Sequence, residues 1–248
     1  MTAGPPSLQW LGHASFLVRH KRSIYFDPWN LPGTELPKAD IILITHDHRD
    51  HCSPRDVKKI AKPSTIVVGP RGTLSKFMLN HVPMGLNEKK SVLEYTVETV
   101  HAYDPRGDEN AAHGARRNFM GYVLELDGLR LYHSGDTARV PDRADFKIDV
   151  ALLPVCGGDL MGPAEAVQAV KTLKPKLAVP MHYGSLGGTR KDAEEFGRLC
   201  RKAGFQSKVP ALGEEFRLDL DPAPLPDKPA RGGLAIGLLK RLLSLGGR

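Results

Sequence analysis

The sequence predicts a mixed α/β fold, with β-sheets packed against each other and helices outside. Three observations lead there. Short apolar runs recur along the chain, each closed by a polar or Gly/Pro turn, which is the pattern of strands. Four segments instead carry a helical period. The order also matters: hairpin-like strands come first, then strands and helices alternate, as in layered α/β architectures. At 248 residues the chain can bury one large core without disulfides or metals being needed merely to fold.

Taken in order, the expected strands are Leu8 to Leu11, Ala14 to Val18, Ile24 to Phe26, Ile41 to Ile44, Thr65 to Val68, Tyr122 to Leu126, Leu129 to Tyr132, Val150 to Pro154 and Leu177 to Val179. Two of them, Ile41 to Ile44 and Val150 to Leu153, are apolar throughout, which predicts that both their faces are covered. Helices are expected over Pro54 to Ala61, Thr73 to Leu79, Ala164 to Leu173 and Lys191 to Ala203. The first is the best signed. Ser53 can cap its free N–H groups, Pro54 suits a first turn that needs no donor, and Asp56 complements the positive end of the helix dipole.

Beyond Leu220 the composition changes. Residues 221–233 form a Pro/Gly-rich linker, and 234–248 read as a Leu-rich, basic, amphipathic helix that would dock on the body, on a second subunit in a homo-oligomer, or peripherally on an anionic membrane surface. Residues 1–220 then form the main domain. The three cysteines, Cys52, Cys156 and Cys200, show no C-x-x-C spacing, which fits a reducing, cytoplasmic setting; the first residues have no signal-peptide pattern, and no run of 18 apolar residues occurs. The net charge of +7 is spread among 28 acidic residues rather than gathered in a stripe, which argues against nucleic acid as a partner.

The chemistry concentrates in Thr45-His46-Asp47-His48-Arg49-Asp50-His51, between a buried strand and a capped helix. Imidazole nitrogens and carboxylate oxygens are ligands for zinc, iron(II) and manganese, and a loop at a strand end lets them converge. Without a cation, such a cluster would crowd desolvated imidazoles and charges together at high cost.

The H-x-H-x-D-H run after a strand resembles the signature of the metallo-β-lactamase superfamily. The resemblance extends through Trp10-Leu11-Gly12-His13-Ala14-Ser15-Phe16, Asp27-Pro28-Trp29, His133-Ser134-Gly135-Asp136-Thr137 and Pro180-Met181-His182-Tyr183-Gly184, in the family's order over residues 8 to 190. It is stronger toward the branch that holds ascorbate-6-phosphate lactonase and N-acyl-phosphatidylethanolamine phospholipase D. It implies a four-layer αβ/βα sandwich and a centre of one or two Zn2+ ions, with Mn2+ or Fe2+ as alternatives. His46 and His48 would hold the first ion, Asp50, His51 and His182 the second, and Asp136 would bridge. The first ion's third ligand is open among His113, His101 and Asp104, in that order. His13 and Asp27 would stand behind the ligands and orient them, and Asp47 would point away. Cys52 and Cys156 read as small packed residues.

The resemblance therefore implies a metal-dependent hydrolase in which a metal-bound hydroxide, oriented by Asp50 and Asp136, attacks a polarised carbonyl or phosphoryl group, with two ions about 3.5–4 Å apart if both bind. A small ester, lactone or phosphorylated metabolite is the expected substrate. Phosphodiester hydrolysis on lipid or nucleic acid, and an iron-dependent oxidoreductase or metal-bound interaction protein, are the alternatives. His133, His101 and Tyr183 are the candidates for donating a proton to the leaving group.

Overall fold

Neighbouring side chains on a strand point to opposite faces, so a strand that is apolar throughout needs a core on each side. The computed structural model, which describes residues 4–33, 35–103, 119–142 and 145–220, supplies both. In chain order the elements are β1 (Ser7–Gly12), β2 (Ser15–Arg19), β3 (Ser23–Phe26), β4 (Ile41–Leu43), α1 (Pro54–Ile60), β5 (Ile66–Pro70), α2 (Arg71–Leu74), β6 (Asn80–Met84), β7 (Lys89–Val92), β8 (Tyr95–His101), β9 (Met120–Leu126), β10 (Leu129–His133), β11 (Val150–Pro154), α3 (Pro163–Leu173), β12 (Leu177–Met181), α4 (Arg190–Lys202) and β13 (Glu215–Arg217).

Two sheets result, one in the order β13-β1-β2-β3-β4-β5-β6 and the other β12-β11-β10-β9-β8-β7. In the first sheet Phe16, Val18, Ile24, Phe26, Ile41 and Leu43 face the second sheet and share a core with Val97, Tyr122, Leu124 and Leu131. Their neighbours Leu17, Tyr25, Ile42 and Val67 face the other way and pack with Val57 and Ile60 of α1 and Leu74 of α2. On the far face of the second sheet α3 lies against β11 and α4 against β12, and the two helices touch each other. The layers are therefore helix, sheet, sheet, helix, which is the four-layer sandwich the family resemblance implied.

Strand direction decides where the site can form. β1 and β3 each run antiparallel to β2, and β3, β4 and β5 are parallel, so β1, β3 and β4 all end on one edge of the first sheet. β10, β11 and β12 are likewise parallel in the second. The Tyr122 hydroxyl crosses between the sheets to donate to the Ile44 carbonyl at 2.7 Å, next to the histidine-rich run that starts at His46.

α1 forms as expected. Ser53 accepts from the Asp56 amide at 3.2 Å, Pro54 opens the helix, and the Asp56 carboxylate also takes the amides of Asn30 and Leu31 at 3.0 and 3.3 Å. The helix is thus tied to the loop after β3. The helix expected over Thr73 to Leu79 is only a single turn, α2; the chain then turns at Ser75 and Lys76 on its way to β6. β6, β7, β8 and β13 were not anticipated as strands: β6 and β7 open on polar or charged residues, and β8 alternates polar with apolar ones. The cysteines are unpaired, and among the described residues no helix is long and apolar enough to cross a membrane. Residues 221–248, with the expected linker and amphipathic helix, lie outside the described residues, as do Asp104 and His113.

Candidate metal centre

Five strand ends meet at one edge of the sandwich, and each delivers a polar residue. His13 follows β1, Asp27 follows β3, His46 comes three residues after β4, Asp136 three after β10, and His182 directly follows β12. The loop after β4 bends into a turn in which the amides of His51 and Cys52 donate to the His48 carbonyl, bringing His46, His48, Asp50 and His51 toward one space. Three of these positions are backbone-strained: His13, Asp27 and His182 have φ of 52°, 40° and 61°, in the left-handed region non-glycine residues avoid. Direct ties hold them there. The His182 amide donates to the His13 carbonyl at 3.0 Å, the Trp10 indole donates to the same carbonyl at 3.0 Å, and the Asp27 amide donates to Leu43.

Two sets of donors form, each with its atoms within 4.8 Å of one another: His46, His48 and Asp136, and His13, Asp50, His51 and His182. Asp136 stands between them. Its Oδ1 lies 3.2 Å from His51 Nε2 and 3.3 Å from His182 Nε2, while its Oδ2 lies 3.7 Å from His46 Nε2. The Asp50 carboxylate is 3.6 Å from His51 Nε2 and 3.0 Å from His13 Nε2. His46 Nε2, His51 Nε2, Asp136 Oδ1 and both ring nitrogens of His182 are buried, yet none has a hydrogen-bond partner. Buried polar atoms left unpaired are expensive and rare. Their convergence without hydrogen-bond geometry is what atoms aimed at a shared cation show, so the donor set fits a divalent metal.

The supports behind the donors fix which nitrogen faces the cavity. Thr45 Oγ1 donates to Asp27 Oδ2 at 2.6 Å, so it accepts from His46 Nδ1 at 2.9 Å, and His51 Nδ1 donates to the same Asp27 oxygen at 2.7 Å. Asp27 Oδ1 takes the Thr45 amide at 2.8 Å. One fully buried carboxylate thereby turns Nε2 of both His46 and His51 toward the cavity. Asp27 thus has the geometry of an orienting residue. His13 stands otherwise: rather than lying behind the ligands, its Nε2 is among the donors of the second set, and its Nδ1 is held by Ser185 Oγ at 2.9 Å.

The metal-free electrostatics follow from this crowding. Burial opposes charge on His51, but the Asp136 and Asp27 carboxylates outweigh it and hold its pKa well above the ordinary histidine value. His182 is likewise penalised by burial, yet Asp136 and the adjoining Cys156 thiol raise it to about 9. Burial, with His51 close by, pushes His46 well below the usual value. Asp50 and Asp136 are held below the carboxylate range despite burial, Asp50 chiefly by His13 and His51 and Asp136 by His51 and His182. Phe119 stacks on the His46 ring at 4.0 Å and Trp29 lies against His13 at 5.1 Å, giving the centre apolar walls.

Some expectations need correction. His133 is fully buried and donates through Nε2 to the Ala14 carbonyl while its Nδ1 accepts from the Gly135 amide, so both nitrogens are committed; with its ring stacked on Phe26, it braces the Asp136 loop and cannot act as a proton donor. The Tyr183 hydroxyl donates to Pro210 and its ring stacks on Trp10 at 4.5 Å, again a packing role. His101, at the end of β8, lies edge-on to Tyr103 at 4.7 Å and belongs to neither donor set. Asp47 is exposed, as expected, and its carbonyl takes the Lys76 ammonium. Sequence reasoning missed Thr45, Ser185 and Phe119; for Thr45 the signal was present in its place directly before His46, whereas for the other two only the fold reveals it.

A family model described as a β-lactamase superfamily domain matches residues 7–182. A UPF0173 metal-dependent hydrolase of Thermococcus kodakarensis is 35% identical over 231 residues, covering 85% of this chain and 99% of that protein. A solved structure from Parabacteroides distasonis is 28% identical with a TM-score of 0.69, covering 82% of this chain and 92% of that one. A diiron β-hydroxylase from Streptomyces venezuelae shares the fold alone: it is 15% identical with a TM-score of 0.69, over 86% of this chain and 54% of that one.

Proposed function

The chain belongs to the metallo-β-lactamase superfamily, as one of its UPF0173 metal-dependent hydrolases, and from that premise we propose that it hydrolyses a small ester, lactone or phosphorylated metabolite at the edge where its sheets meet. The observation that carries this reading is the placement of Asp136, one oxygen toward His51 and His182 and the other toward His46. A carboxylate so placed suits a pair of cations sharing it. His46 and His48 would hold one ion, with His113 ahead of Asp104 as the candidate for their third partner; Asp50, His51 and His182 would hold the other. Zinc is the metal proposed, with manganese or iron(II) compatible with the same nitrogen and oxygen donors.

A bound divalent ion supplies Lewis acidity and activates water near neutral pH. The chain's own groups do the rest. Asp50 and Asp136 stay ionised and can accept hydrogen bonds from an attacking water, fixing its direction. Asp27, through Thr45 and directly, keeps His46 and His51 in the tautomer that leaves Nε2 inward. Trp29 and Phe119 limit water around the reacting atoms and lower the local dielectric. The small-substrate reading is supported by the compact described fold, in which two sheets and their flanking helices carry the donors and no large inserted domain occurs among the described residues. We place the chain in the branch of ascorbate-6-phosphate lactonase and N-acyl-phosphatidylethanolamine phospholipase D on the strength of the motifs around Trp10 and Asp136. A reducing, cytoplasmic setting is supported by the unpaired cysteines.

The test is a panel of lactones, carboxylic esters, sugar phosphates and bis-p-nitrophenyl phosphate, assayed on a preparation of measured metal content, with His48→Ala alongside. Turnover on the acyl or phosphomonoester members, lost by more than about 100-fold in His48→Ala, beyond what loss of an outer partner costs, is the expected result. Activity confined to the phosphodiester would replace this substrate class with the second. Wild-type rates in His48→Ala would remove that histidine from the reaction.

A further inference from the structure

We propose that His13 is itself a metal ligand, so that the position shared by Asp50, His51, His182 and one oxygen of Asp136 has three imidazole donors and is the one that holds its ion most tightly. The inference deepens the proposed function and rests on it.

His13 is built as the other ligands are. His46 and His51 each commit Nδ1 to an oxygen, from Thr45 and Asp27, and turn Nε2 toward the cavity. His13 commits Nδ1 to Ser185 Oγ at 2.9 Å and turns Nε2 inward, where it meets Asp50 Oδ2 at 3.0 Å and joins the set with His51 and His182. Its ring lies against that of His182, centroids 3.9 Å apart, and 5.4 Å from that of His51. The residue is 2% exposed, and its backbone is held left-handed by the Trp10 indole and the His182 amide, both on its carbonyl. Strain of this kind, of order 1–3 kcal/mol, persists only where the surroundings over-determine it, and it clusters at functional sites. Here it aims one ring nitrogen.

The two positions then differ in donor number. The first has His46, His48 and one Asp136 oxygen among the described residues, four donors with the third partner proposed above, and His48 is exposed. The second has five donor residues, counting His13, Asp50, His51, His182 and the other Asp136 oxygen. More donors in a buried, pre-formed set hold an ion longer, so the second position fills first and empties last.

The alternative role for His13 is a hydrogen bond from Nε2–H to Asp50, without contact to the ion. X-ray absorption at the zinc edge separates the two, on protein loaded with one equivalent of zinc. Wild type, His48→Ala and His13→Gln are compared, and zinc affinity is measured against a chromophoric chelator. His48→Ala weakens only the first position, and its bound zinc is expected to show three imidazoles. His13→Gln keeps an N–H that can reach Asp50, and it is expected to show one imidazole fewer than wild type and to bind zinc more than about 100-fold more weakly, beyond the 10–100-fold of outer partners. Two imidazoles in His48→Ala, or a His13→Gln affinity within tenfold of wild type, overturns His13 as a ligand while leaving the hydrolase reading intact. Wild type that takes up no zinc overturns both. Should His13→Gln fail to fold by circular dichroism, the imidazole count in His48→Ala decides alone.

Discussion

Asp27 shows how much of the centre depends on one side chain that need not touch the ion. It is fully buried, sits at a φ of 40°, and accepts from the Thr45 amide, the Thr45 hydroxyl and His51 Nδ1. Replacement by asparagine keeps the volume but removes the charge that stabilises these donors. Asp27→Asn is expected to lower metal affinity about 10–100-fold while retaining native circular dichroism; unchanged affinity in a chelator competition would show that Asp27 serves only the fold. The converging donor residues were legible in the sequence, because His46, His48, Asp50 and His51 are dense and local, and Asp136 and His182 come after recognisable strands. His13, His133 and Tyr183 were not legible in their roles. What a buried histidine does depends on which atoms face each nitrogen, and for His133 these are the Ala14 carbonyl and the Gly135 amide, far apart in sequence.

Elements matter here chiefly through their ends. The loop that carries Asp136 leaves β10 and passes so close to the loop before His46 that only glycine fits at position 135. Its φ is 61°, and a Cβ there would lie 2.7 Å from the Met120 carbonyl and 3.2 Å from Thr45 Cβ. Gly135→Ala is therefore expected to cost at least about 1–2 kcal/mol from the left-handed backbone alone, and to displace Asp136 from between the two donor sets. Denaturant melts and metal titration together check it: a stable variant with wild-type affinity would contradict the packing described. The apolar strands β4 and β11 could be read with both faces covered because nothing polar interrupts them, and α1 because its cap, proline and acid coincide. β7 and β13 escaped notice because edge strands bury little, and Lys89, Lys90, Glu215 and Arg217 leave no apolar run to find. α2 was overextended for the opposite reason. Leu74, Phe77 and Met78 stand at the i, i+3, i+4 spacing of a helix, but past Leu74 the chain is a loop in which Phe77 packs onto α1's side of the sheet and Met78 is exposed.

For the whole molecule, two sheets with parallel strands ending on one edge bring together residues that lie as much as 169 positions apart, as His13 and His182 do. The charge they share makes ion uptake depend on pH with a definite sign. In the metal-free protein His182 is raised to about 9 and His51 is raised as well, so both are protonated at neutral pH. An ion needs their lone pairs and must displace those protons. Affinity is therefore expected to rise between pH 7 and 9, by up to about tenfold per unit for each proton displaced, with proton release on binding measurable by titration calorimetry in buffers of different ionisation enthalpy. A flat profile over that range would mean that these imidazoles are already neutral.

Metal dependence means that these side chains converge on a cation without which the chain does no chemistry. Its most direct test is the hydrolysis rate of chelator-stripped protein as a divalent ion is added back, with bound metal measured in the same samples. The expected result is negligible turnover at zero ion, rising with occupancy and levelling by two equivalents. Turnover that survives complete stripping, or protein that binds no ion in excess, would contradict it.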